Sequence, residues 1–92
     1  MLVLPVEITH KQARSCAQTL SVQLRAESGS HVELDVSPLV KFDSSALAVM
    51  LECRREALSL GKTFQVKGLA SHLRELANLY GIVDLLEVQH AV

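Results

Sequence analysis

The stretch from Lys41 to Leu51 joins two different residue patterns and limits the folds that are open to this chain. Before it, residues 31–36 alternate polar and apolar side chains, which is the periodicity of a β-strand. After it, apolar residues recur at helical spacing as far as Leu60, and Gly61 follows as a helix-terminating residue. The stretch is therefore predicted to carry the chain from a strand through a loop into a helix.

The polar residues at this junction, Asp43, Ser44 and Ser45, lie at the predicted N-terminus of a helix that runs from Ala46 to Leu60. Ser and Asp are preferred as N-caps because a short side-chain oxygen satisfies a free N–H group of the first helical turn. The same place suits an added phosphate group, because the free N–H groups and the positive end of the helix dipole favour an anion. We expect Asp43 and Ser44 to be exposed there.

Strand and helix patterns alternate along the rest of the chain. The other predicted elements are an edge strand over residues 2–8 that is interrupted by Pro5, a helix from a Thr9–Gln12 capping box to about Ala26, a strand over residues 31–36, a strand over residues 63–67, a helix over residues 69–80, a last short strand or turn over residues 82–88, and a frayed tail over residues 90–92. This alternation predicts a single α/β domain over residues 1–92, with a small, mostly parallel or mixed β-sheet and helices packed beside it.

Apolar residues on one face of the two later helices are predicted to form much of the core. They are Leu47, Met50, Leu51, Ala57, Leu58, Leu69, Leu73, Leu76 and Tyr80. Leu39, Val40 and Phe42 are expected to anchor the loop before Ser44 from below. Arg54 falls inside the apolar arc, where it either snorkels at the margin of the core or meets a carboxylate of a partner.

Composition argues against several classes of function. The net charge of −1 offers no basic stripe for nucleic acid, and three aromatic residues offer no stacking platform for single strands. No apolar run reaches the roughly 18 residues that a transmembrane helix needs, and the first five residues lack the charged start of a signal peptide. We therefore expect a cytoplasmic protein without membrane insertion. Cys16 and Cys53 are expected to be buried, reduced thiols, with a disulfide or metal pair as the alternative.

No catalytic or metal-binding constellation stands out. The four histidines, at positions 10, 31, 72 and 90, are scattered without metal spacing, and the chain has neither a Gly-rich phosphate loop nor a G-x-S-x-G elbow. Ser44 stands beside Asp43, but no histidine is placed by the sequence to activate it as a nucleophile. The sequence therefore predicts a protein that is not an enzyme and that holds no cofactor and no metal.

The segment Asp43-Ser44-Ser45-Ala46-Leu47 resembles the Asp-Ser-Ser-Gly-Leu signature of the STAS domain family, the anti-sigma factor antagonists, in which the first Ser is phosphorylated. That residue is Ser44 here, and Ala46 stands where the family usually has Gly. The order of the predicted elements also follows the family. The segment that ends in Leu79-Tyr80-Gly81 is most similar to the MlaB-like branch of the family.

The resemblance implies a protein-binding module with the STAS fold. An MlaB-like member would bind and stabilise or activate the cytoplasmic ATPase of an Mla-type phospholipid ABC transporter, peripheral to the inner membrane, with residues 43–47 at the contact. The alternative is an anti-sigma factor antagonist, which binds a kinase-type anti-sigma factor and is released when the kinase phosphorylates Ser44. A third interpretation needs no partner, because an exposed Ser at a helix start is also found simply as a cap.

Overall fold

Strands and helices alternate along residues 2–86, the part of the chain that the computed structural model describes. The elements are β1 (Leu2–Val3), β2 (Glu7–Ile8), α1 (Ala13–Ala26), β3 (His31–Asp35), β4 (Lys41–Phe42), α2 (Ser44–Ser59), β5 (Thr63–Lys67), α3 (Ser71–Leu79) and α4 (Val83–Leu86). This arrangement confirms the predicted α/β class and agrees with a STAS-like fold.

The five strands within residues 2–86 form two small sheets in which every pair is parallel. In the larger sheet the order is β1-β3-β5, so that Leu34 of β3 lies opposite Leu2 on one side and Val66 on the other. The smaller sheet pairs β2 with β4, with Glu7 opposite Lys41. Parallel neighbours need crossover connections, and the segments that contain α1 and α2 provide them.

The predicted strand over residues 2–8 is divided by Pro5 into two strands that belong to different sheets. The N–H group of Leu4 still donates to the carbonyl of Asp35 at 2.9 Å, so the pairing with β3 continues up to the residue before the proline. Pro5 has no N–H group with which to continue that ladder. The chain then leaves the first sheet and joins β4 at Glu7.

Helix α1 begins later than the capping box predicts. Thr9 to Gln12 form a turn, and the helix starts at Ala13 and ends at Ala26, as predicted for its end. One half of the box is present, because Oε1 of Gln12 accepts hydrogen bonds from the backbone N–H of Thr9 at 2.8 Å and from its hydroxyl at 2.7 Å. The polar pair therefore stabilises the turn before the helix.

The core is one cluster of buried apolar side chains to which both sheets and all four helices contribute. Its most deeply buried large side chains are Leu2, Leu4, Ile8, Leu24, Val32, Leu34, Val36, Met50, Leu73 and Leu86. Val32, Leu34 and Val36 are buried on one side of β3 and its continuation, which confirms the alternating pattern of that strand.

The predicted core is correct for Leu47, Met50, Ala57 and Leu73, which are all buried, whereas Leu51, Leu69, Leu76 and Phe42 are only half-buried at its margin. Three placements are wrong: Val40, Leu58 and Tyr80 are 74%, 47% and 57% exposed. Val40 lies between the buried Leu39 and the start of β4, outside the core. Tyr80 is the C-cap of α3 and leaves the helical stripe, and Leu58 lies in the last turn of α2.

The prediction of a strand or turn over residues 82–88 is wrong for the described part of that segment, which forms the short helix α4 (Val83–Leu86). Gly81 ends the preceding helix with a φ of 70°, a conformation that glycine adopts without strain. Leu86 is then buried in the core. Val88 and the tail over residues 90–92 lie outside the described residues.

A polar cluster joins α1 to α2 on their outer side. Oε2 of Glu56 accepts hydrogen bonds from the hydroxyl of Ser21 at 2.8 Å and from Nε of Arg25 at 2.8 Å, and Nη2 of Arg25 lies 2.6 Å away. Donation from Ser21, followed by that from Arg25, lowers the pKa of Glu56 below its ordinary value. The polar face of α2 is therefore partly occupied by contacts with α1.

Truncation of Met50 tests the assigned helix phase. Because Met50 is completely buried, Met50→Ala should lower the free energy of unfolding by about 2–5 kcal/mol, measured by urea denaturation. Leu79→Ala is the control, since Leu79 is 80% exposed and its truncation should change stability by less than about 0.5 kcal/mol. Equal effects of the two substitutions would contradict the core described above.

Candidate functional site

The N-terminus of α2 is the place where the signature residues meet. Asp43 is the N-cap in an extended conformation, and its Oδ1 accepts a hydrogen bond from the backbone N–H of Ser45 at 2.8 Å. Ser44 is the first helical residue and is exposed, as predicted, whereas Ser45 and Asp43 are half-buried. The cap is therefore supplied by Asp43 and not by Ser44.

The other carboxylate oxygen of Asp43 contacts a residue that is remote in the sequence. Oδ2 accepts a hydrogen bond from the backbone N–H of His10 at 3.1 Å, and Nδ1 of the His10 ring lies 3.5 Å from it. The N–H group of Asp43 in turn donates to the carbonyl of Ile8 at 3.3 Å. Asp43 therefore ties the turn before α1 to the start of α2. Sequence reasoning missed His10, because no local pattern relates residues 33 positions apart.

These hydrogen bonds also fix the charge of the site. Donation from the N–H group of Ser45 lowers the pKa of Asp43 below its ordinary value, with a smaller contribution from His10, and partial desolvation opposes the shift. The carboxylate is consequently ionised at neutral pH. The exposed start of α2 thus carries a fixed negative charge directly before Ser44.

The hydroxyl of Ser44 is available to other molecules. Within residues 2–86 it takes part in no hydrogen bond, and the imidazole of His10 faces Asp43. A nucleophilic serine needs a base within hydrogen-bond reach of its oxygen, and the described residues do not supply one here. The arrangement suits modification of Ser44 or contact with a partner.

Ala46 and Leu47 have a different place from the other signature residues. Ala46 is completely buried, and Leu47 is 3% exposed. No non-glycine residue in the described part of the chain has a positive φ, so Ala46 occupies an ordinary helical position without needing the conformational freedom of glycine. Ala46 offers no surface to a partner, and its contribution is to pack α2 against the core.

A shallow apolar groove of about 320 Å³ lies beside Ser44. Ser44, Leu47, Ala48, Leu51, Tyr80 and Ile82 line it. It is formed where α2 meets the segment between α3 and α4. Tyr80 was not predicted as a surface residue, because the helical spacing of apolar residues assigned it to the core. Its position next to Gly81, however, marks the end of a helix.

Within residues 2–86 the cysteines and histidines are not grouped as metal ligands. Among residues 2–86 no three His, Cys, Asp or Glu side chains are grouped so that they could hold a metal ion. Cys53 is buried and Cys16 half-buried, and both are free thiols. Burial raises the pKa of Cys53 to about 12, with smaller effects of Glu56 and Cys16, and burial also raises the pKa of Cys16. Neither thiol is activated as a nucleophile.

Comparison with protein families decides the affiliation of this fold and site. A family model described as "Mlab, STAS domain" matches residues 1–87. The chain belongs to the STAS domain family. STAS domains generally mediate binding between proteins and are generally not enzymes. A comparison with curated proteins finds none that matches. As for membranes, none of the helices within residues 2–86 is both long enough and apolar enough to span one.

Removal of the Asp43 cap should destabilise this STAS domain in a pH-dependent manner. At pH 7, Asp43→Ala should lower the melting temperature by about 4–8 °C, because a cap is lost from a small domain. Asp43→Asn is the matched control, since Asn also caps helices but carries no charge. The pKa of Asp43 is lower in the folded than in the unfolded chain. Its charge therefore stabilises the fold above roughly pH 4 and stops doing so as the pH falls through the folded pKa.

The melting temperature of the wild type should exceed that of Asp43→Asn by less and less as the pH is lowered from about 6 to about 2.5. Thermal melting followed by circular dichroism across this range measures this difference. A difference in melting temperature that does not depend on pH would show that the charge of Asp43 does not stabilise the start of α2.

Proposed function

We propose that this chain is a non-enzymatic accessory subunit that binds the cytoplasmic ATPase of an Mla-type phospholipid ABC transporter and stabilises or activates it. The observation that carries the proposal is the exposed Ser44 at the start of α2 beside an apolar groove, in a chain matched by the MlaB family description. In this proposal residues 1–92 act as one domain that binds no nucleotide and no lipid itself. It works in the cytoplasm, at the inner face of the membrane when in complex.

The shape of the groove supports a protein contact. Ser44 and Ala48 are small and exposed, so the backbone of a partner can approach α2 closely. Leu51 and Tyr80 form apolar walls beside them, and Tyr80 is 57% exposed without a partner. Tyr is one of the residues that are enriched at protein interfaces, and the buried centre of an interface is more apolar than its rim.

The signature residues divide their roles in this proposal. Ser44 makes the contact, and Leu47 forms the floor of the groove. Asp43 and Ser45 hold the first turn of α2 in position through the cap, and Ala46 packs it on the core. The contact region of residues 43–47 thus extends to Ala48, Leu51, Tyr80 and Ile82, which lie outside the sequence motif.

One observation favours the alternative, an anti-sigma factor antagonist that is regulated by phosphorylation. The hydroxyl of Ser44 is exposed and makes no hydrogen bond to any residue that the structure describes, so a kinase could reach it. A phosphate there would add a charge of about −1.5 to −2 next to the ionised Asp43. It would repel an acidic partner surface, and its desolvation would oppose contact with an apolar one. The MlaB description of the family model favours the transporter subunit of the two.

Ser44→Glu should separate binding from folding. The glutamate lies in the first turn of α2, where the helix dipole tolerates a negative charge, so the free domain should keep its melting temperature within a few degrees. Binding to the transporter ATPase should weaken at least tenfold, because the charge would be buried at the contact without a partner. Affinity is measured with the purified ATPase subunit of an Mla-type transporter.

Ser44→Ala is the matched control. Since Asp43 provides the cap, this substitution should change the equilibrium constant of unfolding by no more than about twofold. The dissociation constant of the complex should likewise change by no more than about twofold. The same pair of variants is tested against an anti-sigma kinase if one is encoded nearby. If Ser44→Glu binds the ATPase as tightly as the wild type does, Ser44 is not at the contact and the proposed site is wrong.

A further inference from the structure

Exposed and half-buried side chains continue the groove along α2 as one strip. The strip, called here the α2 seam, consists of Ser44, Ala48, Leu51, Arg54 and Leu58, which recur at spacings of three and four residues and so share one side of the helix. Leu51 and Arg54 are half-buried, and Leu58 is 47% exposed. With a rise of 1.5 Å per residue, the seam is roughly 21 Å long.

Arg54 is the one cation in this apolar seam, and its guanidinium has no partner among residues 2–86. The two nearest acidic residues on α2 are already engaged. Glu52 accepts two hydrogen bonds of 2.6 Å from Arg55, and Glu56 binds Arg25 and Ser21. Arg54 is therefore a half-buried cation to which its own helix supplies no free carboxylate.

Such an arginine is well suited to a protein contact. Its planar group offers five donors that match a carboxylate in a bidentate manner, and it is more weakly hydrated than a lysine ammonium group. The half-buried stem loses less conformational freedom on binding than a fully exposed side chain would. Leu51 one turn before it and Leu58 one turn after it would exclude water from an ion pair formed there.

We propose that Arg54 is the ionic anchor of the partner-binding surface and that the occupant of the α2 seam is a segment of the transporter ATPase that carries an acidic side chain beside an apolar one. That segment places the apolar side chain in the groove at Leu51 and the carboxylate on Arg54. The inference rests on the proposed function, because it takes the transporter ATPase as the partner. It adds the chemistry of the contacting segment, an acidic residue close to an apolar anchor.

Two charges along the seam also orient the partner segment. The carboxylate of Asp43 precedes Ser44 at one end, and Arg54 lies ten residues after Ser44, roughly 15 Å away along the helix axis. The acidic residue of the partner is attracted to Arg54 and repelled by Asp43. A segment bound in the reverse direction would bring its carboxylate towards that of Asp43, which is unfavourable.

The test measures the affinity of the purified ATPase subunit for charge variants of the whole chain. Arg54→Glu should weaken binding roughly thirtyfold or more, because it opposes a carboxylate at a desolvated position. Arg54→Lys should fall between this variant and the wild type, since it keeps the charge but loses the bidentate geometry. Arg14→Glu is the control, as Arg14 is exposed on α1 away from the seam, and it should bind within about twofold of the wild type.

A second arm identifies the carboxylate. Each surface Asp or Glu of the ATPase subunit is replaced singly by Arg, and one of these variants should bind Arg54→Glu at least tenfold more tightly than the unmodified ATPase subunit does. Circular dichroism of Arg54→Glu confirms that the variant is folded. Failure of every acid-to-arginine variant to restore binding would overturn the ion pair.

The remaining outcomes separate the two proposals. If Ser44→Glu loses binding while Arg54→Glu binds like the wild type, the ATPase contact stands and the role of Arg54 is wrong. If the wild-type chain does not bind the ATPase subunit, the proposed function fails and the inference fails with it. Sedimentation that shows a dimer of this chain, lost in Arg54→Glu, would mean that a second copy occupies the seam, which would also overturn the proposal.

Discussion

The carboxylate of Asp43 is the interaction on which the geometry of the site depends. One oxygen caps α2 through Ser45, and the other holds the backbone of His10 in the turn before α1. Hydrogen bonds to a single side chain therefore tie the turn before α1 to the first turn of α2. Because Asp43 makes the cap, Ser44 is not needed to cap α2, and its exposed side chain can contact another molecule.

The packing of α2 leaves one side of the helix open for contact with another molecule. On one flank, Glu56 joins α2 to α1 through Ser21 and Arg25. The buried side carries Ala46, Met50, Cys53 and Ala57 into the core. The α2 seam lies on the remaining side, next to Tyr80 and Ile82, and combines small, apolar and cationic groups. A protein partner is the ligand that best fits such a surface, since the groove is open and shallow.

Sequence periodicity predicted the class of fold and the approximate extent of α1, α2 and α3, because β3, β5 and α2 each show a regular pattern over five or more residues. It also placed Ser44 at an exposed helix start. It failed where the chain deviates from a repeating pattern: at Pro5, which divides one strand into two, and at Tyr80, where α3 ends. The contact between His10 and Asp43 could not be predicted, because it depends on how α1 and α2 are brought together in space.

The most direct test of the central claim, that the exposed side of α2 is the binding surface, is methyl NMR of the chain in complex with the transporter ATPase. Leu51 and Leu58 report on the α2 seam, and Val22, which is 69% exposed on α1, reports on a different surface. Cross-saturation from the ATPase should attenuate the methyl signals of Leu51 and Leu58 and leave those of Val22 unchanged. Attenuation of Val22 with unchanged Leu51 and Leu58 would contradict the account.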